Sequence, residues 1–241
     1  MPARRSDHAT PRRDGWTALA QVIDAGLVAA ADPARAASER AYLKSERRFL
    51  GVGVPATRRI VRDALRAHPT ADRAELWRAV DSLWAGDAFE HRRAAVELLV
   101  ICREVLGVED LDRLEVMCRG AETWALLDEL AARVVGSVVE RFPAQGGDVL
   151  DRWAIDPDSF WLRRTALLAL LDPLRAGGGD FDRFGRYADS MLHEREFFIR
   201  KAIGWVLRDT SKRRPELVRA WVEPRLDAMS GVTRREATRY L

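Results

Sequence analysis

The chain has 241 residues, 47% of them hydrophobic and 32% charged, the balance of a soluble globular protein with room for a sizeable core. No apolar run approaches the roughly 18 residues of a membrane span, and residues 1–15 are charged and lack the apolar centre of a signal peptide. Two cysteines, Cys102 and Cys118, and four histidines exclude a disulfide framework and argue against a structural zinc site.

Helical periodicity runs along nearly the whole chain, and sustained strand alternation is found nowhere. Residues 1–14 are expected to form a disordered tail. The spacing then predicts helices over 16–30, 33–47, 55–68, 71–84, 87–106, 109–119 and 122–142. Further helices are predicted over 148–153, 157–171, 181–192, 194–211, 215–228 and 233–241. Pro33, Pro55, Pro157 and Pro215 stand at starts, where a missing N–H costs nothing. Gly51–Gly53, Gly146-Gly147 and Gly177–Gly179 read as breaks. Loops are short, so successive helices should pack antiparallel. Both cysteines fall in helical patterns, as small buried hydrophobes would. Residues 15–241 are expected to form one domain, with the cytoplasm as its setting.

Charge is unevenly spread. The net charge is +3, but residues 1–60 hold 11 Lys and Arg against 6 Asp and Glu, residues 61–194 hold 17 against 25, and residues 195–241 hold 12 against 6. Basic ends flank an acidic middle, a polarity that fits a nucleic-acid clamp or solvated helix faces of no special role. Only Lys44, Lys201 and Lys212 are lysines.

Five segments repeat a theme in which one or two cations lead a small-residue, apolar helix. Aligned on Arg93, Arg133, Arg164, Lys201 and Arg235, they recur every 31 to 40 residues. That is the spacing of helix pairs, which stack because no pair can bury its apolar face alone. The expected fold is therefore all-α: an α-solenoid of HEAT-like antiparallel helix pairs, curved, with a basic concave groove. The repeated cations would line that groove, where a duplex phosphate backbone could lie.

Two constellations stand out. Trp124 and Asp128, four residues apart, share one helix face; a core Trp with a surface or capping Asp is the ordinary reading. Trp205 lies in Phe197-Phe-Ile-Arg-Lys-Ala-Ile-Gly-Trp205-Val-Leu-Arg208 and alone reads as a core residue. The segment Phe49-Leu-Gly-Val-Gly-Val-Pro superficially matches a helix-hairpin-helix, but the proline expected before Gly51 is missing, so it reads as a link between helices. No P-loop, dinucleotide fingerprint, HExxH or nucleophile elbow is present.

Taken together, Tyr42-Leu-Lys44, Phe49-Leu-Gly51-Val with Pro55 and Arg58-Arg59, Trp124 with Asp128, Trp161-Leu-Arg163-Arg164-Thr-Ala and Glu196 to Arg208 stand in the order found in the AlkD family of bacterial alkylpurine DNA glycosylases. Arg234-Arg-Glu-Ala fits as well, and the resemblance spans roughly residues 16–241. It implies HEAT-like repeats and monofunctional excision of cationic alkylated purines, such as N3-alkyladenine and N7-alkylguanine, from duplex DNA. Bulky adducts would be tolerated, because these enzymes do not flip the lesion into a deep pocket. By the same resemblance Asp128 lies beside the lesion's deoxyribose, Trp124 and Trp205 pack against the sugar, and Tyr42 joins the pocket. Arg164, or Arg163 beside it, holds the phosphate backbone. Lys201, Arg208 and Arg235 complete the expected DNA-binding set, on a monomer.

These residue types suit the chemistry. A cationic purine is a good leaving group and needs no general acid. Positive charge then develops on the sugar, where a carboxylate and indole faces stabilise it. No metal or redox cofactor is called for. The alternative is a non-catalytic HEAT-like module that binds damaged or branched DNA; a protein-binding scaffold fits the repeated cations less well.

Overall fold

The computed structural model describes residues 15–70 and 72–241; the expected tail over 1–14 lies outside them. Every regular element among the described residues is helical, apart from one isolated bridge between Arg48 and Ala88. None of these helices is long and apolar enough to cross a membrane. The chain divides into two compact units, one ending at Ile101 and one starting at Cys102. The boundary falls inside the stretch 87–106 that periodicity reads as one helix. The helix stops at Ile101, and a 3-10 turn, Arg103–Val105, follows.

In the first unit α1 (Ala18–Ala29), α3 (Val54–Ala67), α4 (Arg73–Trp84) and α5 (Phe89–Ile101) pack together. Their apolar faces meet through Leu19, Ile23, Leu27, Val61, Leu76, Val80, Leu83 and Phe89, all buried. Helix α2 (Pro33–Leu43) buries no residue. It ends four residues earlier than predicted, because Lys44 turns into the left-handed region at φ 50°. The link after it is held from below. Glu90, wholly buried, accepts the backbone N–H of Leu50 on one oxygen (2.9 Å) and those of Gly51 and Val52 on the other (2.7 and 3.1 Å). Beside it, buried His91 accepts the Ala88 N–H on Nδ1, so its Nε2–H donates to Asp24 at 2.9 Å. Two buried carboxylates thus meet the requirement that interior polar groups be paired.

The second unit comprises α6 (Leu111–Arg119), α7 (Trp124–Glu129), α8 (Gly136–Arg141), α9 (Pro143–Ala154) and α10 (Phe160–Leu168), then α11 (Leu171–Arg175), α12 (Phe181–Met191), α13 (Phe197–Ser211), α14 (Pro215–Val222) and α15 (Gly231–Ala237). Helix α10 packs on α6, α9 and α13, and α13 on α11, α14 and α15. The repeat is written in its polar ties. Trp153 donates to Glu115, 38 residues back; Tyr187 to Asp151, 36 back; Arg225 to Asp189, 36 back; and Arg175 to Asp209, 34 ahead. Each joins a helix to its counterpart in the next pair, at the period of the sequence repeat.

Boundaries in the second unit also need correction. The predicted helix over 122–142 runs without a break only over 124–141, and a π-helical stretch, Leu130–Val135, separates α7 from α8. The predicted 148–153 helix extends back to Pro143. Gly146-Gly147, read as a break, sits inside it: a Cβ on Gly146 would lie 2.9 Å from the Cα of Val139, so glycine serves close packing there. The predicted helix over 157–171 starts only at Phe160, behind Ser159 as N-cap, and α11 follows as a separate short helix. Cys118 is buried, which pushes its thiol up to about 12, whereas Cys102 is partly exposed.

Candidate active site

Thr123 caps α7 by accepting the Ala125 N–H at 2.9 Å. The helix begins at Trp124, so Asp128 stands one turn later on the same face, just ahead of the π-helical stretch. Both residues are half-buried. On α10, Arg164 meets the carboxylate with two parallel bonds, Nε to Oδ1 and Nη2 to Oδ2, each 2.8 Å. Its remaining nitrogen, Nη1, donates to the carbonyl of Phe198 on α13. One guanidinium thus ties α7 and α13 to α10. Such a fork-on-carboxylate pair fixes direction as well as distance.

Burial pushes the Asp128 carboxyl above its usual range; the hydrogen bonds and charge of Arg164 pull the other way, and nearby Glu129 adds to the rise. Beside the pair lies an aromatic group: Trp161 stands 4.3 Å from Phe160 and 5.3 Å from Phe198, centroid to centroid.

Arg164 and Arg163, the residues expected at the phosphate, are both engaged within the protein. Arg164 is 2% exposed and all three of its nitrogens are engaged. Arg163 chelates Glu194 at 2.8 and 3.0 Å and donates to the Asp156 carbonyl. Arg164 is buried, whereas Arg163 is partly exposed. The other repeated cations are also mostly tied. Arg133 pairs with Asp172 at 3.3 Å, and the Arg93 guanidinium lies 4.8 Å from the Phe89 ring centre. Lys201 and Arg208 on α13 both bond Glu236 on α15. The Lys201 hydrogen bond and the two positive charges outweigh burial and hold the Glu236 carboxyl below its usual range. Arg133 and Arg235 are both exposed. Three of the five repeated cations, Arg133, Arg164 and Lys201, thus form ion pairs with a neighbouring helix.

Trp205 is half-buried on α13, and its indole N–H donates to Asp209 at 3.0 Å. Tyr42 lies on α2 in the first unit, 72% exposed. Sequence reasoning missed Asp209, Glu236 and Phe198. The first had a signal: it follows Trp205 by four residues, as Asp128 follows Trp124.

The family model described as DNA alkylation repair enzyme matches residues 23–241. The chain belongs to the DNA alkylation repair enzyme family. Among solved structures, a predicted DNA alkylation repair enzyme from Enterococcus faecalis superposes with a TM-score of 0.78 at 23% identity, over 88% of this chain and 96% of that one. AlkD2 from Streptococcus mutans gives 0.60 at 17% identity, over 85% and 98%. The protein smu.31 from Streptococcus mutans UA159 gives 0.56 at 18% identity, over 74% and 88%. At these identities the neighbours establish for this family member the shared helical-repeat fold. No curated protein matches its sequence.

Proposed function

We propose that this DNA alkylation repair enzyme is a monofunctional DNA glycosylase that releases cationic alkylated purines, N3-alkyladenine and N7-alkylguanine among them, from duplex DNA. The observation that carries the reading is the Asp128 carboxylate, one helical turn beyond Trp124 and held at both oxygens by Arg164. Alkylation makes the purine a cation. When the C1′–N bond breaks, its electron pair leaves with the base, which departs neutral, and the positive charge passes to the sugar. Asp128 stabilises that charge and orients the water that adds to C1′; the water's proton passes to the carboxylate or to solvent. Trp124 and Trp205 offer indole faces to the same charge. Arg164 fixes the carboxylate before substrate arrives, so little reorganisation accompanies bond cleavage. Exposed cations, Arg235 among them, hold phosphates.

Base release from duplex oligonucleotides carrying N7-methylguanine, an N3-methyladenine analogue or a bulky N3-adenine adduct tests the reading. Release of any of these supports it. Binding without release of all three favours a non-catalytic DNA-binding module.

A further inference from the structure

Helix α13 repeats the pattern of α7: an indole, Trp205, and a carboxylate, Asp209, four residues apart on one face. The two carboxylates are used differently. Asp128 faces Arg164 across the helix interface, whereas Asp209 turns onto its own tryptophan. The Trp205 Nε1–H donates to Asp209 Oδ2 at 3.0 Å. The same oxygen receives Arg175 from α11 at 3.1 Å, and Oδ1 receives Lys212 at 2.8 Å and Arg208 at 3.4 Å. Asp209 is 8% exposed. Burial acts to raise its pKa, but the hydrogen bonds of Lys212 and Trp205, with the charges of Lys212 and Arg175, prevail and hold the carboxyl below its usual range. The site's second tryptophan is thus anchored to a buried anion that three cations on two helices and the turn after α13 keep in place.

We propose that Asp209 is a positioning residue that acts through Trp205, fixing the rotation of its indole and strengthening the negative potential of its π face. Two physical effects combine. A half-buried indole has two side-chain torsions, and one strong bond at the ring edge selects a single orientation from the rotamers that packing allows. A carboxylate accepting the N–H also pushes electron density into the ring, and a more negative face attracts a developing cation more strongly. Arg175, on the preceding helix pair, sets where the anion stands and so couples the ring's position to the spacing of successive repeats. The inference rests on the proposed function for the use of the ring, but not for the hydrogen bond itself.

Two measurements test it. The first is exchange of the Trp205 indole proton, its NMR cross-peak assigned by its loss in Trp205→Phe. In the native protein this proton should exchange more slowly than an exposed indole. Asp209→Leu, which removes the acceptor, should speed its exchange by at least about 10-fold without doing so at the other tryptophans. The second is a double-mutant cycle on single-turnover base release. Asp209→Leu should cost about 10-fold in the native background and less than about 2-fold in Trp205→Phe, which has no N–H to hold. Asp209→Asn, which keeps one acceptor oxygen, should recover part of the loss. Should Asp209→Leu fail to fold, the native exchange rate and the Asp209→Asn cycle decide. An equal loss in both backgrounds, or a native Trp205 N–H that exchanges as freely as an exposed indole, overturns the proposal. Absence of base release by the native protein on every lesion would overturn the proposed function instead; the exchange measurement would still show whether Asp209 holds the ring.

Discussion

Arg164 grips Asp128 through both carboxylate oxygens at 2.8 Å while its third nitrogen bonds the Phe198 carbonyl. The pair is both a strut between three helices and the frame of the proposed active carboxylate. Its two roles separate by substitution. Arg164→Met should destabilise the protein by about 3 kcal/mol, because it leaves a largely buried carboxylate unpaired. The double variant with Asp128→Asn should lose less than the sum of the two single losses. Urea denaturation of the four proteins measures this; strict additivity would mean the pair is not coupled.

The acid limb of base release should report Asp128. The active form is the carboxylate, so the rate falls as pH falls through the folded-state pKa. That pKa is raised above the usual 3.8, chiefly by burial, so the limb should lie above that value and be missing from the residual rate of Asp128→Asn. The pH profile is read after subtracting spontaneous base loss. A native limb at or below the usual carboxylate range would contradict the assignment.

Arg235, rather than Arg164, should carry a phosphate contact. Arg235→Ala should weaken binding to damaged and undamaged duplex alike and reduce the salt slope by about 0.9. Binding isotherms between low and moderate salt give the slope, and an unchanged value would take Arg235 off the DNA.

Much of this was legible in the residues. The all-α fold followed from periodicity, and the repeat from cations recurring every 31 to 40 residues. What the cations do was not legible, because a sequence does not say which carboxylate a guanidinium will meet. Arg133, Arg164 and Lys201 each found one on a neighbouring helix. The π-helical stretch after Asp128 leaves no mark in a run of Leu, Ala and Val. Gly146-Gly147 reads as a break by propensity, and only packing against Val139 reveals why glycine is inside the helix. Trp124 and Asp128 are legible as a pair by spacing; the role proposed for them comes from family resemblance. Asp209 has the same spacing behind Trp205, but a charged residue near a helix end usually faces solvent, so spacing alone does not single it out.

The link before α3 should depend on Glu90. Its carboxylate takes three backbone N–H groups, and a neutral amide has one acceptor oxygen for them. Glu90→Gln should cost about 2 kcal/mol of stability and speed hydrogen exchange at Leu50, Gly51 and Val52. Exchange at these three amides equal to that of the native protein would refute the clamp.

The most direct test of the account is single-turnover release of N7-methylguanine from duplex DNA, with enzyme in excess, comparing the native protein with Asp128→Asn. Asn preserves shape and removes the charge, so the loss should fall on the rate, by something on the order of 100-fold, with affinity for the lesion duplex nearly unchanged. A native rate in Asp128→Asn would contradict the catalytic role given to this carboxylate.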